Sequence, residues 1–180
     1  YAYGNATWPN LIAILDHYTE EDLAQFSDVW VHQKGMPHIS FSIEGDELVV
    51  TQADPLGRGI LWTQNFDCRV IYADGKCEDI AVAMRDKEHR FEVGSDIVAI
   101  LPNSCGRGYG LFIPDKKSLD WIMENFSTLS DDLLRQSLII TLNECYKNEI
   151  VTPTEWLNFI LRYIDTEPNY LIASTLNGYL

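Results

Sequence analysis

The sequence has no long apolar segment and few basic residues. Its longest apolar run, Leu138 to Leu142 with one Thr, is far shorter than the roughly 18 residues that a membrane-spanning helix needs, and no stretch resembles a signal peptide. Only 13 Lys and Arg stand against 27 Asp and Glu, which gives a net charge of −14 without a basic stripe. A surface of this kind is unfavourable for contacts with a phosphate backbone. We therefore expect no membrane span and no nucleic-acid partner.

Motifs for metal binding and for nucleophilic catalysis are also missing. None of the histidines belongs to a His-Glu-x-x-His helix, the spacing that holds zinc on one helical face, and we interpret them as surface or capping residues. They are His17, His32, His38 and His89. There is no Gly-x-Ser-x-Gly, and Cys105 has no histidine within ten residues along the chain. We assign no catalytic, cofactor-binding or metal-binding residue, and we expect no cofactor in this chain.

The cysteines lack the CxxC spacing of a zinc ribbon. In a hairpin with a two-residue loop at Asp74-Gly75, Cys77 lies opposite Tyr72. In the same register Cys68 lies opposite Ala81, so the two cysteines are too far apart along the ladder to bridge. This geometry argues against a structural disulfide.

The glycines at Gly106-x-Gly108-x-Gly110 have the spacing of a phosphate-binding loop. The residues that follow, Leu111 to Pro114, have the pattern of a strand, whereas a phosphate loop leads into a helix whose N-terminus binds the anion. We predict instead that these glycines allow close approach of the backbone at a strand junction.

The apolar periodicity divides the chain into three parts, and its 46% apolar content is enough for a sizeable core. Residues 1–37 have a helical period, with Leu23, Phe26 and Trp30 on one face. Residues 38–115 contain several short strands without intervening helices, which is typical of an antiparallel β-sandwich. Residues 116–180 return to the helical period with short links, which is typical of an antiparallel bundle or an α-solenoid. We therefore predict an α+β chain of three domains with these boundaries.

Individual elements within these parts can also be predicted. Thr7, Ser130 and Thr152 have the pattern of helix N-caps, and Pro168 is expected to start the last helix. We expect nearly complete burial of Ile39, Phe41, Val50 and Trp62, and packing of Trp30 where the first helices meet the sandwich. The predicted strands include Ile39–Ile43, Leu48–Thr51, Ile60–Asn65, Cys68–Ala73, Asp79–Met84, His89–Val93, Ile97–Leu101 and Leu111–Ile113.

Four groups of residues resemble segments of zinc metallopeptidases of the aminopeptidase N family. The first group is similar to the end of the catalytic domain, the next two to the β-sandwich domain, and the last to the start of the C-terminal helical domain. The groups are Tyr3-Gly4-Asn5-Ala6-Thr7 with Asp22-Leu23, Phe26 and Trp30-x-x-Gln33-x-Gly35-x-Pro37; Gln52 with Trp62; Leu101-Pro102-Asn103-x-x-Gly106-x-Gly108-Tyr109-Gly110; and Asp132 with Arg135. The chain departs from the family at Tyr109-Gly110, where an aromatic residue and an Arg are usual.

The resemblance implies a parent enzyme that removes N-terminal amino acids from peptides. In that family two His and a Glu hold zinc, a second Glu is the general base, and a Gly-x-Met-Glu-Asn loop binds the substrate amine. All of these would precede Tyr1. The resemblance therefore implies a non-catalytic fragment that serves as structural spacer and active-site-covering scaffold. Its partners would be the catalytic domain and the remaining helical domain of the same chain.

A second interpretation is a free-standing β-sandwich that binds protein or carbohydrate, with Trp8, Trp62 or Trp121 as stacking platforms. Architecture alone permits it, because fold does not fix function. In either case we expect terminal helices with exposed apolar faces and possible self-association of the chain. The residues concerned are Leu11, Ile12, Leu15, Leu171, Ile172 and Leu176.

Overall fold

A computed structural model describes residues 4–180, which form two β-sheets and six α-helices in a mixed α and β arrangement. The mixed fold that the sequence predicts is confirmed at this level. The helices are α1 (Trp8–Leu15), α2 (Leu23–Ser27), α3 (Lys116–Asn125), α4 (Asp132–Lys147), α5 (Pro153–Tyr163) and α6 (Tyr170–Gly178). The strands are β1 (His38–Glu44), β2 (Glu47–Ala53), β3 (Gln64–Tyr72), β4 (Cys77–Met84), β5 (Glu88–Glu92), β6 (Ile97–Leu101) and β7 (Leu111–Ile113).

The N-terminal helices are short and begin at side-chain caps. Thr7 is the N-cap of α1, as predicted, and its backbone N–H donates to Asn10 Oδ1 at 3.0 Å. The Asp22 carboxylate accepts from the Gln25 N–H at 2.8 Å and caps α2. After α2 the chain continues in a π-helical turn, Asp28–His32, which carries Trp30.

The strands are ordered β5-β2-β1-β7 in the first sheet and β4-β3-β6 in the second sheet. Neighbouring strands are antiparallel except β1 and β7, which are parallel, with His38 opposite Leu111. The expectation of wholly antiparallel strands is wrong for this pair. β7 does not follow β1 through a hairpin, since the chain reaches it from β6 of the other sheet, and the Leu111 N–H then donates to the Pro37 carbonyl at 3.0 Å.

A hydrophobic cluster lies between the two sheets and receives side chains from both. Phe66 of the second sheet contacts Phe112 of the first, with ring centroids 5.2 Å apart, and Phe41 lies 6.3 Å from both rings. The predicted burial of Ile39, Phe41 and Val50 is confirmed, since each is at most 3% exposed. Alternation along each strand explains the cluster, because every second side chain points to the same face.

The C-terminal helices share a second hydrophobic cluster with the outer side of the strands. In β6, Ala99 and Leu101 contact this cluster, whereas Ile100 between them belongs to the cluster between the sheets. α3 packs against β6, and α4 packs against β7 and against α5 and α6. Tyr163 joins α5 to α3, because its hydroxyl donates to the carbonyl of Met123 at 2.9 Å.

Several element boundaries differ from the sequence prediction, and two of these differences have a clear structural cause. The segment Ile60–Asn65 is not one strand, because residues 54–63 form a loop and β3 begins at Gln64. Asp54 accepts from the Arg58 N–H at 2.8 Å and organises this loop. The N-cap of α4 is Asp131 and not Ser130, because the Asp131 carboxylate accepts from two N–H groups of the first turn.

The starts of the last two helices, α5 and α6, can be compared with the predicted caps. α5 has the predicted cap at Thr152 with Pro153 in its first turn. The sequence predicts that α6 starts at Pro168, but the helix begins two residues later, at Tyr170, because the Asn169 side chain caps it.

The register of the β3–β4 hairpin is one residue away from the prediction. Cys77 lies opposite Ile71 and Cys68 opposite Ile80. The hairpin loop is longer than two residues, since the Gly75 N–H and the Tyr72 carbonyl close a turn before β4 begins. All four cysteines are unpaired.

Candidate functional site

A cleft of about 700 Å³ lies between α2 and the second sheet. Its volume is within the range of small-molecule binding sites, roughly 300–1,000 Å³. One wall comes from α2 and the π-helical turn, and the other from the start of β3, the end of the β4 segment and the β6–β7 loop. The lining residues are Glu21, Asp22, Leu23, Gln25, Phe26, Trp30, Thr63, Gln64, Asn65, Arg85, Arg107 and Tyr109.

Three aromatic rings form a continuous surface in this cleft. The rings of Phe26 and Trp30 are 5.9 Å apart, and those of Trp30 and Tyr109 are 6.0 Å apart in an edge-on arrangement. The Trp30 indole N–H donates to the Thr63 carbonyl at 3.1 Å. Trp30 therefore lies where the first helices meet the sheets, as predicted.

Tyr109 lies on a loop whose backbone is firmly held. The Gln64 side chain bonds to both backbone groups of Tyr109, accepting from its N–H at 2.9 Å and donating to its carbonyl at 3.0 Å. The Asn103 side chain does the same for Gly108, at 2.7 and 3.1 Å. The Tyr109 side chain is nevertheless 61% exposed. An exposed ring on a fixed backbone is a preorganised contact surface.

The glycines of this loop are needed for close packing, as predicted. A Cβ on Gly108 would lie 2.5 Å from Phe112 Cζ, and a Cβ on Gly110 would lie 2.7 Å from the Pro37 carbonyl oxygen. The residues after the loop form β7 and not a helix.

Three of the four charged side chains that line the cleft are in ion pairs, and the fourth, Asp22, caps α2. Arg85 donates to Glu21 at 3.4 Å, across the cleft. Arg107 donates to Cys105 Sγ at 3.1 Å and to Asp67 at 2.7 Å, and these bonds raise its pKa. Apart from the Asp22 carboxylate, the cleft therefore presents aromatic and amide groups with little unbalanced charge.

The histidines and thiols do not form a catalytic constellation. His32 lies 3.5 Å from Asp28 on the exposed π-helical turn, and the His89 ring accepts from the Arg85 N–H at 3.4 Å. Burial raises the pKa of the Cys68 and Cys145 thiols to about 12, so neither is a nucleophile at neutral pH. Among residues 4–180, no group of three or more His, Cys, Asp or Glu side chains could hold a metal ion.

The tryptophans considered as stacking platforms have different environments. Trp62 is 1% exposed, as predicted from its pattern, and cannot be a platform. Trp121 packs against the helical cluster. Trp8 is 44% exposed, and its indole N–H donates to Ser27 Oγ at 2.6 Å. The sequence did not single out the Tyr109 surface, because its partners are distant along the chain.

The residues behind the family resemblance make contacts between elements. The Gln52 side chain accepts from the Trp62 N–H at 3.0 Å and donates to the Asp86 carbonyl at 2.9 Å. Arg135 forms an ion pair with Asp132 at 2.6 Å within α4, and another with Glu167 at 2.9 Å in the segment that precedes α6. Tyr3 and the other residues of segment 1–3 lie outside the described residues.

No family model and no curated protein matches the chain. In the part of the chain that the structure describes, no helix is long and apolar enough to cross a membrane.

Proposed function

We propose that the chain is a non-catalytic part of a zinc aminopeptidase of the aminopeptidase N family. In this proposal residues 1–37 end the catalytic domain, residues 38–115 are its β-sandwich domain, and residues 116–180 begin a solenoid-like helical domain. The chain serves as structural spacer and as a scaffold that covers the active site. Zinc and the peptide substrates belong to the parent enzyme.

The contacts made by the resemblance residues carry this proposal. Gln52 and Arg135 each make two or more side-chain hydrogen bonds that join separate segments, and the Asn103 side chain makes two within the glycine loop. The Asn103 carbonyl also accepts from the Ser137 hydroxyl at 2.6 Å, which links the glycine loop to α4. Residues with such roles are the ones that a shared architecture requires, since replacing them leaves buried polar groups unpaired.

The arrangement of the two sheets supports the β-sandwich of the proposal. Both sheets contribute alternate side chains to one cluster, and the second sheet is antiparallel throughout. α4 packs against both later helices, and short connections join them. Stacked helices with short links are what a solenoid of helix pairs requires.

Exposed apolar helix faces support a scaffold role with protein neighbours. α1 has no buried residue, and Trp8, Leu11 and Leu15 are each 43–44% exposed. On α6, Leu171 is 71% exposed, but Ile172 and Leu176 are buried in the helical cluster, so the expectation of an exposed apolar stripe is wrong for these two residues. Clusters of exposed apolar side chains are typical of surfaces that other protein segments cover.

The coding DNA immediately before Tyr1 tests the proposal. We expect an in-frame Gly-x-Met-Glu-Asn sequence, followed by His-Glu-x-x-His and a further downstream Glu. A signal peptide that directly abuts Tyr1 would instead favour the free-standing binding module.

A biochemical test uses the chain itself beside the parent protein. We expect the 180-residue chain to retain no stoichiometric zinc after dialysis and to leave aminoacyl anilides intact, whereas the parent hydrolyses them in a chelator-sensitive reaction. Chelator-sensitive turnover by the chain alone would contradict the proposal.

A further inference from the structure

We propose that the cleft between α2 and the second sheet binds a neutral saccharide. This inference does not depend on the proposed aminopeptidase function, because it concerns only the side chains of the cleft.

The aromatic surface supplies the first requirement of such a site. Phe26 and Tyr109 are 42% and 61% exposed at its two ends, with Trp30 fixed between them. The C–H groups on one face of a sugar ring are apolar and can pack on an aromatic face. Large rigid rings provide contact area at a low cost in conformational entropy.

Side-chain amides supply the second requirement. Gln25 and Asn65 line the cleft beside the aromatic rings. Asn65 Oδ1 accepts from Arg85 at 3.1 Å, and no residue in 4–180 accepts from its Nδ2 group. The Gln25 side chain likewise makes no hydrogen bond to the described residues. Each amide offers a donor, and Gln25 also offers an acceptor, for sugar hydroxyls.

The charge arrangement favours a neutral ligand over an ion. Arg85 is paired with Glu21, and Arg107 with Asp67. An anionic ligand would have to displace these carboxylates, and the net charge of −14 opposes its approach. A cationic ligand would find Glu21 already paired with Arg85 and the Asp22 carboxylate already accepting from the Gln25 N–H.

The backbone arrangement disfavours a peptide that adds as a strand. Such peptides bind through the free N–H and C=O groups of a sheet edge. The Gln64 side chain already occupies both backbone groups of Tyr109, whose ring forms one end of the aromatic surface.

The test is titration of the chain with neutral oligosaccharides, followed by calorimetry and by ligand-observed NMR. The probes are cellopentaose, laminaripentaose, mannopentaose and chitopentaose, each at concentrations up to about 10 mM. We expect at least one to bind. Tyr109→Ala should weaken that binding about tenfold, because one aromatic contact is lost, and Gln25→Ala should weaken it by a smaller factor. Tyr170→Ala, which removes an 80% exposed tyrosine outside the cleft, should leave it unchanged.

Three outcomes would overturn the proposal. The first is that none of the four oligosaccharides binds. The second is that Tyr109→Ala and Gln25→Ala leave the affinity unchanged while both variants keep the melting temperature of the unmodified chain. The third is that the tripeptide Gly-Phe-Gly binds to the unmodified chain but not to Tyr109→Ala, which places it in the cleft, while the saccharides do not bind. That result would make the cleft a peptide site.

Discussion

Arg135 and Glu167 form a two-bond ion pair that is almost completely removed from solvent. The Arg135 side chain is 6% exposed and that of Glu167 is 2% exposed, with N–O distances of 2.9 and 3.2 Å. Arg135 also donates to the Leu129 carbonyl. The pair therefore ties the first turn of α4 to the segment that precedes α6.

We expect Glu167→Ala to lower the free energy of unfolding by about 3 kcal/mol, because it leaves the buried Arg135 charge with only the exposed Asp132 carboxylate as an anionic partner. The measurement is urea denaturation at pH 7. The control is Asp120→Ala, which removes the exposed partner of Lys116 and should cost less than about 1 kcal/mol. Equal losses in the two variants would show that burial of the Arg135–Glu167 pair has no energetic consequence.

Gly108→Ala should destabilise the protein by about 1–3 kcal/mol, because the new methyl group collides with Phe112 and Phe66 in the packed core. Gly178→Ala is the matched control, since a Cβ there meets no atom within 4 Å, and it should be neutral or slightly stabilising. Thermal melts of both variants give the comparison. If Gly108→Ala has the same melting temperature as the unmodified chain, the prediction is wrong, because the loop can then move away from β7.

The four thiols should react at very different rates. Cys77 is exposed and Cys105 is partly exposed, whereas Cys68 and Cys145 are buried with pKa values of about 12. Alkylation at pH 8 followed by peptide mass spectrometry should modify Cys77 first and Cys105 next. The two buried thiols should react only after denaturation. Cys77→Ser should remove the fastest phase, and rapid labelling of Cys68 in the native protein would contradict the structure.

The cap of α5 should make stability depend on pH. The Glu155 carboxylate accepts from the Thr152 N–H at 2.9 Å and from the Thr152 hydroxyl at 2.7 Å. Both bonds lower the pKa of Glu155 below its usual 4.5, and the bond from the N–H has the larger effect. A carboxyl with a depressed folded pKa stabilises the protein above its unfolded pKa. That contribution disappears as the pH falls through the folded pKa.

Glu155→Gln should therefore lower the melting temperature at pH 7 and have little effect at pH 2. At pH 7 the substitution should lower the free energy of unfolding by less than about 1 kcal/mol, because the carboxylate is exposed to solvent. Glu20→Gln, which changes an exposed glutamate of the N-terminal segment, serves as the control and should not alter the melting temperature at pH 7. An effect of Glu155→Gln that is equal at pH 7 and pH 2 would exclude a role for its charge.

The exposed apolar side chains Leu11 and Leu15 of α1 and Leu171 of α6 predict self-association through these helices. Light scattering at several concentrations should show a concentration-dependent mass for the unmodified chain. Leu11→Glu and Leu171→Glu should each weaken the assembly, because they place a charge in an apolar contact. A monomer at all concentrations, or an assembly unaffected by either substitution, would contradict this.

Local sequence signals predicted most of the secondary structure because the forces concerned act over a few residues. The strand Ile97–Leu101 has the predicted bounds, and the Thr152–Glu155 cap is present. The apolar run from Ile60 to Trp62 suggested a strand, but the turn at Asp54 and Arg58 determines the local backbone. At α4, Asp131 competed with Ser130 as cap, and the carboxylate is the stronger acceptor for two N–H groups.

The candidate site could not be predicted because its parts come together only in the folded chain. Gln64 and Tyr109 are 45 residues apart, and no local pattern indicates that the side-chain amide of Gln64 binds the backbone of Tyr109. The parallel pairing of β1 with β7 was missed for the same reason. Apolar periodicity identifies strands, but it does not identify their partners.

The parallel β1–β7 pair also affects how the protein can fold during synthesis. β1 ends at Glu44, and its second neighbour is complete only when the ribosome has added Ile113. Until then one edge of β1 has no hydrogen-bonding partner, although the β1–β2 hairpin can already form. Pairings of such long sequence separation form slowly, and open strand edges favour aggregation. The nascent chain is therefore most vulnerable to aggregation between the emergence of its first hairpin and that of β7.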